Sequence, residues 1–162
     1  MTRIHFLTVL SLLLLAVLLW LLIPRLAERL VDAESAPLWQ YAAAEDCDLH
    51  RQACRVDLPG GGWLELSLEP RPVRMLSPFL IRVGLGGLPV DRVTVDFSGV
   101  EMEMGYNRPS LRRMADGAYE ATGILPMCVD ERMSWQARVL LYQADGLGVV
   151  SFQFETSRRG DQ

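Results

Sequence analysis

Residues 92–97 read Arg-Val-Thr-Val-Asp-Phe. Polar and apolar side chains alternate there without a break. In an extended chain successive side chains point to opposite faces, so Val93, Val95 and Phe97 share one face and Arg92, Thr94 and Asp96 the other. A helical period would mix the two sets. The stretch therefore predicts a β-strand with one face in a core and the other toward water.

The same period recurs on both sides of it. Upstream, Arg55, Asp57, Trp63, Glu65, Ser67 and Glu69 alternate with Val56, Leu58, Leu64, Leu66 and Leu68. Pro59-Gly60-Gly61-Gly62 interrupts that run and predicts a turn. Further strands are predicted over residues 79–85, 90–97, 118–124, 134–142 and 149–155. They are separated by Pro70 and Pro72, Gly86-Gly87, Asn107-Arg108-Pro109, Asp116-Gly117 and Asp145-Gly146. About seven short strands with no helix among them define an all-β domain. Their spacing predicts a single immunoglobulin-like β-sandwich over residues 46–156, with a small barrel as the alternative. Residues 157–162 read as a flexible polar tail. The chain has no internal repeat.

The N-terminus follows a different rule. Residues 4–23 read IHFLTVLSLLLLAVLLWLLI, with no Asp, Glu, Arg or Lys. Twenty residues at helical rise span roughly 30 Å, the thickness of a bilayer's hydrocarbon core. A helix satisfies its own backbone, so this run can cross lipid unaided. Residues 1–23 are thus expected to form a transmembrane anchor whose partner is the lipid bilayer. The rival is a cleaved secretory signal. Its apolar region would be shorter, and a small-residue cleavage site would follow closely. Here Pro24 and Arg25 follow instead. Residues 24–45 are expected to be a juxtamembrane stalk, with Trp39 and Tyr41 either at the headgroups or packed on the domain.

Charge excludes some functions. The net charge is −4, and all sixteen basic residues are arginines, scattered along the chain. No basic stripe forms, so no nucleic-acid partner is expected. The two histidines are His5, in the apolar run, and His50. No His pair, phosphate-binding glycine loop or nucleophile elbow is present, so catalysis is not expected.

The cysteines set the compartment. Arg3 and the amino terminus nearly balance Arg25 and Arg29, so flanking charge leaves the orientation open. Cys47 and Cys54 flank the short polar stretch CDLHRQAC and are expected to form a local disulfide. Such bonds persist outside the cytoplasm. The expectation is a single-pass inner-membrane protein with its C-terminal domain in the periplasm. Cys128 is left over, as an inert buried thiol, an alternative disulfide partner or a ligand.

The methionines give the one candidate for chemistry. Six of the seven lie beyond Met1, and all six are in the domain. Met102 and Met104, in Val-Glu-Met-Glu-Met-Gly, would project to one side of an extended chain. Met127 and Cys128 add two more soft sulfur atoms. Sulfur donors favour Cu(I), whereas Cu(II) calls for nitrogen ligands that this sequence barely offers. Core packing is the competing reading, because methionine fills gaps well.

The segment 100–135 reads Met-x-Met-Gly-x-Asn, then Asp-Gly-x-Tyr, then Leu-Pro-x-Cys, then Trp. Together with the N-terminal anchor it resembles small periplasmic proteins of the YtkA-like and FixH-like groups. The resemblance implies copper handling or assistance in assembling a membrane haem-copper oxidase, with Met102 and Met104 as carried-over ligands. The sequence lacks the histidine expected beside such a methionine pair. The alternative expectation is a metal-free, membrane-tethered interaction module.

Overall fold

The structure, a computed structural model, describes residues 5, 13–22, 37–44, 46–102, 105–127 and 132–157. The chain forms two compact units, Met1–Ala36 and Pro37–Gln162. Within the first, His5 and residues 13–22 are helical, and the side chains of 13–22 are exposed. The rest of the expected anchor and residues 24–36 of the expected stalk lie outside the described residues. Among the described residues, no helix is long and apolar enough to cross a membrane.

The second unit is all-β. Its strands are β1 (Trp39–Ala42), β2 (Cys54–Asp57), β3 (Trp63–Glu69), β4 (Pro78–Gly86), β5 (Arg92–Gly99), β6 (Ser110–Arg113), β7 (Tyr119–Ile124), β8 (Arg132–Gln143) and β9 (Gly146–Ser157). All seven expected segments are strands. Two more, β1 and β6, join them. β1 comes from the segment expected as stalk and belongs to the sheet, and Trp39 and Tyr41 pack against the core.

The nine described strands form one hydrogen-bonded sheet in the order β1-β9-β8-β5-β6-β7-β4-β3-β2. The expected all-β domain is present, with two strands more than the seven expected and with its layers continuous through one hydrogen-bonded, barrel-like sheet. The physical cause is β6. Its first half pairs with β5, through Val93 opposite Leu111 and Thr94 opposite Ser110. Its second half pairs with β7, through Arg112 opposite Glu120 and Arg113 opposite Tyr119. One four-residue strand thereby joins two layers that would otherwise be separate. Strands β4 to β7 follow a Greek-key path, with β4 returning beside β7.

Alternation places the core. Leu64, Leu66 and Leu68 of β3 are fully buried, facing Val93, Val95 and Phe97 of β5 within one apolar cluster. The Phe97 ring meets Phe79 edge-on at 5.6 Å and Phe154 edge-on at 6.4 Å. Aromatic rings from both halves of the sheet therefore meet at a single point. Trp135 is wholly buried, and its Nε1–H donates to Thr156 Oγ1 at 2.8 Å. That bond spares the indole nitrogen an unpaired burial.

The outward face of β5 departs from expectation. Thr94 and Asp96 are buried, not solvated. Asp96 accepts hydrogen bonds from Arg108 (3.2 Å) and from Arg138, which is its cross-strand neighbour on β8. The pairing with Asp96 raises the Arg108 guanidinium above its ordinary value. The long arginine stems cover the sheet while their charged heads meet the carboxylate.

The edges of the sheet are tied together. β1 and β2 are consecutive in the chain yet stand at opposite ends of the strand order. Residues 43–53 must cross from one edge to the other. Leu49 in that crossing is wholly buried. A disulfide joins Cys47 to Cys54, the first residue of β2, with Cα atoms 5.7 Å apart. The expected bond is therefore present, and it clips the crossing segment to the start of β2.

The turn between β6 and β7 carries a titratable lock. Asp116 Oδ1 accepts from the Ala118 N–H at 3.1 Å, and Oδ2 accepts from Arg82. Gly117 takes a positive φ of 89°, which glycine tolerates without strain. The bond from Arg82, and then that from Ala118, hold the Asp116 carboxyl below its ordinary value of 3.8. A lowered folded-state value stabilises the turn above the unfolded value, and the contribution is lost as pH falls through the folded one. In a carbon-13 titration we expect the Asp116 carboxyl midpoint below 3.8 and an upward move in Arg82→Gln. A wild-type midpoint at or above 3.8 would rule the lock out.

Candidate functional site

Met102 and Met127, the described members of the sulfur set, stand in two connections between strands. Residues 100–109 link β5 to β6, and residues 125–131 link β7 to β8. Their footings are shared. Gly99 at the end of β5 is in register with Trp135 near the start of β8, and the Val100 N–H donates to the Ser134 carbonyl at 3.0 Å. The first loop thus departs where the second arrives. On its return, Asn107 Nδ2 donates to the carbonyl of Ile124, where the second loop begins, at 3.0 Å. The Asn107 carbonyl in turn accepts from the Phe97 N–H at 2.9 Å. Leu125, wholly buried, roots the second loop in the core.

Met102 and Met127 stand on these loops and are 37% and 59% exposed, so neither is a core filler. Met104 and Cys128 lie outside the described residues. The remaining methionines divide differently. Met133 is buried and Met75 packs on the core, as the packing reading expects. Met114 is exposed in the β6–β7 turn, at the other end of the strands.

The donor set suits a soft ion. Thioether sulfur is a soft donor, which prefers Cu(I) to harder divalent ions. Among the described residues, no group of three or more His, Cys, Asp or Glu is placed to hold a metal ion.

The structure also moves His50. In the sequence it stands some fifty residues from the methionine pair. Its ring lies 5.9 Å from Phe154, which is in register with Trp135, itself in register with Gly99. His50 therefore sits near the level at which the sulfur-bearing loops emerge. Its Nε2 is buried without a hydrogen-bond partner, while its backbone N–H donates to Asp48 Oδ1 at 2.9 Å. Only the crossing of residues 43–53 over the open side brings it there. No local motif signals that path.

Apolar side chains ring the same end. Val100 (51%), Tyr106 (83%) and Ile124 (51%) are exposed within or at the ends of the same two connections. The outer face nearer β1 mixes polar side chains with Ala42, Ala43, Ala44 and Cys47. A cavity of about 480 Å³ there is lined by Gln40, Gln136, Ser151 and Gln153 among others. Comparison with protein-family models finds no match, and comparison with curated proteins finds none either.

Proposed function

We propose that this protein is a membrane-anchored periplasmic accessory protein that binds Cu(I) through methionine and cysteine sulfur, or aids assembly of a membrane oxidase. The bilayer anchor is residues 4–23, in the inner membrane, with the β domain on the periplasmic side. Met102 and Met104 are the principal ligands, and Met127 and Cys128 complete the set. Within this reading the domain is kin to immunoglobulin-like sandwiches and to the YtkA-like and FixH-like groups. The Greek-key path and the buried Trp135 support the first kinship.

One observation carries the proposal. The two loops bearing the sulfur atoms are bonded to each other's footings, through Val100 to Ser134 and Asn107 to Ile124. Soft ligands on two exposed loops held in that way can close on one ion at little cost in loop entropy. The test titrates the full chain in detergent with Cu(I) against a colorimetric chelator. Wild type is expected to compete for one equivalent, and Met102→Leu/Met104→Leu to lose affinity about tenfold or more. Equal retention by wild type and variant would exclude the site.

A second reading rests on the exposed Val100, Tyr106 and Ile124 around the same loops. It makes this end a metal-free docking surface for a membrane complex, with the tether raising the local concentration of the domain. A chain that holds no Cu(I) but loses a co-purifying complex on Tyr106→Ser would favour it.

A further inference from the structure

The cavity of about 480 Å³ on the outer face is built by strand alternation. Trp39 and Tyr41 of β1 and Val150 and Phe152 of β9 pack on the core. Their chain neighbours Gln40, Ala42, Ser151 and Gln153 therefore point the other way, and all four line the cavity. Ala42 is in register with Ser151, and Gln136 of β8 with Gln153. Three adjacent strands thus make one floor.

The segment after β1 adds a wall of Ala43, Ala44 and Cys47. It is pinned to the floor. The Ala43 N–H donates to the Ser151 carbonyl at 2.9 Å, and the Cys47 N–H donates to the Ala44 carbonyl at 3.0 Å. Cys47 is in turn bonded to Cys54. The concavity is therefore formed before anything enters it.

Ser151 points to a ligand. It is 7% exposed although it faces away from the core, and its Oγ has no hydrogen-bond partner. A buried hydroxyl left unpaired carries its full desolvation cost, and most such groups in folded proteins are satisfied. The Ser151 side chain faces the cavity, so a partner for it comes from there.

The lining sets the chemical class. Among the described residues that line the cavity, none is charged and none is aromatic. An ion would give up hydration and meet no countercharge. A sugar ring would find no aromatic face to stack on. A glutamine carboxamide presents an acceptor oxygen and two donor hydrogens in one plane, and another amide answers both. The alanine methyls suit small apolar substituents. From this we infer that the cavity binds a short, uncharged, amide-bearing ligand of peptide type, hydrogen-bonded by the Ser151 hydroxyl and by the carboxamides of Gln40, Gln136 and Gln153. The volume falls within the roughly 300–1,000 Å³ usual for small-molecule sites. The site shares no residue with the sulfur set and stands whether or not that set holds a metal.

The experiment titrates the full chain in detergent micelles and follows the glutamine side-chain amide signals by NMR. Acetyl-Ala-Gln-Ala-amide is expected to shift the signals of Gln40, Gln136 and Gln153 and to saturate. The charged acetyl-Ala-Glu-Ala-amide, and maltose, are expected to leave them in place. Ser151→Ala is expected to weaken the uncharged peptide about tenfold. Ala44→Trp, on an exposed position of the wall, fills the cavity and is expected to abolish binding with an unchanged unfolding curve. No shift with the uncharged peptide would leave Ser151 to an ordered water alone and would overturn the inference. Equal shifts with the charged peptide or with maltose, or undiminished binding by Ser151→Ala, would overturn it too.

Discussion

Phe97→Ala is expected to destabilise the domain by about 4 kcal/mol, the cost typical of deleting a buried aromatic ring. Phe97 is 1% exposed and touches Phe79 from one half of the sheet and Phe154 from the other. Its removal loses the transfer energy of the ring and both edge-on contacts. The cavity lies between the halves, where β6 is the hydrogen-bonded bridge, so the sheet cannot close over it without shifting that short strand. Urea unfolding followed by circular dichroism measures the loss. Ile124→Ala, on a half-exposed side chain, serves as the control and should move stability by no more than about 0.5 kcal/mol. Similar midpoints for the two variants would mean that the halves do not depend on this ring.

Loss of the disulfide is expected to be the next largest effect. Cys47 and Cys54 close a loop of eight residues counting both ends, and the chain-entropy treatment assigns such a closure about 2.5 kcal/mol. Position adds to that figure. The loop contains Leu49, and it is the segment that crosses between the two edges of the sheet. Cys47→Ala/Cys54→Ala should therefore unfold at a lower urea concentration than wild type, and the wild-type protein in reductant should match it. Oxidised and reduced protein unfolding together would show that Leu49 and its neighbours hold the crossing without the bond.

Much of this fold is written in period-two alternation, and the exceptions have physical causes. Seven strands announce themselves because each has several apolar residues on one face, as with Leu64, Leu66 and Leu68. β6 has one, Leu111, within Ser-Leu-Arg-Arg, and one buried residue makes no pattern. Yet that strand merges the layers. β1 was hidden by its neighbourhood, since an aromatic, uncharged stretch after an apolar helix fits a membrane surface as well as a sheet edge. Alternation also cannot say what covers a polar face. Thr94 and Asp96 point away from the core as expected, but Arg108 and Arg138 arrive from elsewhere in the chain and bury them.

The candidate site was legible in part. Composition and spacing mark Met102 and Met127 as unusual, and their exposure agrees with loops. The shared footing of the connections that carry them depends on the register of β5 against β8 and on Asn107 reaching Ile124. Those are tertiary facts that no local window contains. The position of His50 beside Phe154 is of the same kind.

The place where the chain enters the sheet has a mechanical consequence. Pro37 leads into β1 beside Gly148 of β9, and the connections that carry Met102 and Met127 lie toward the far end of β9, roughly 20 Å along it. A load applied at Pro37 while those loops are gripped runs along the strands, across hydrogen bonds that lie transverse to it. β1 is then sheared from β9 with its bonds sharing the strain, not peeled off bond by bond. Should β1 slip, the bond from Cys47 to Cys54 passes the load straight to the start of β2, and residues 48–53 are not paid out. The domain is thus rigged to bear tension from its N-terminal side and to yield only one short strand before the line goes taut.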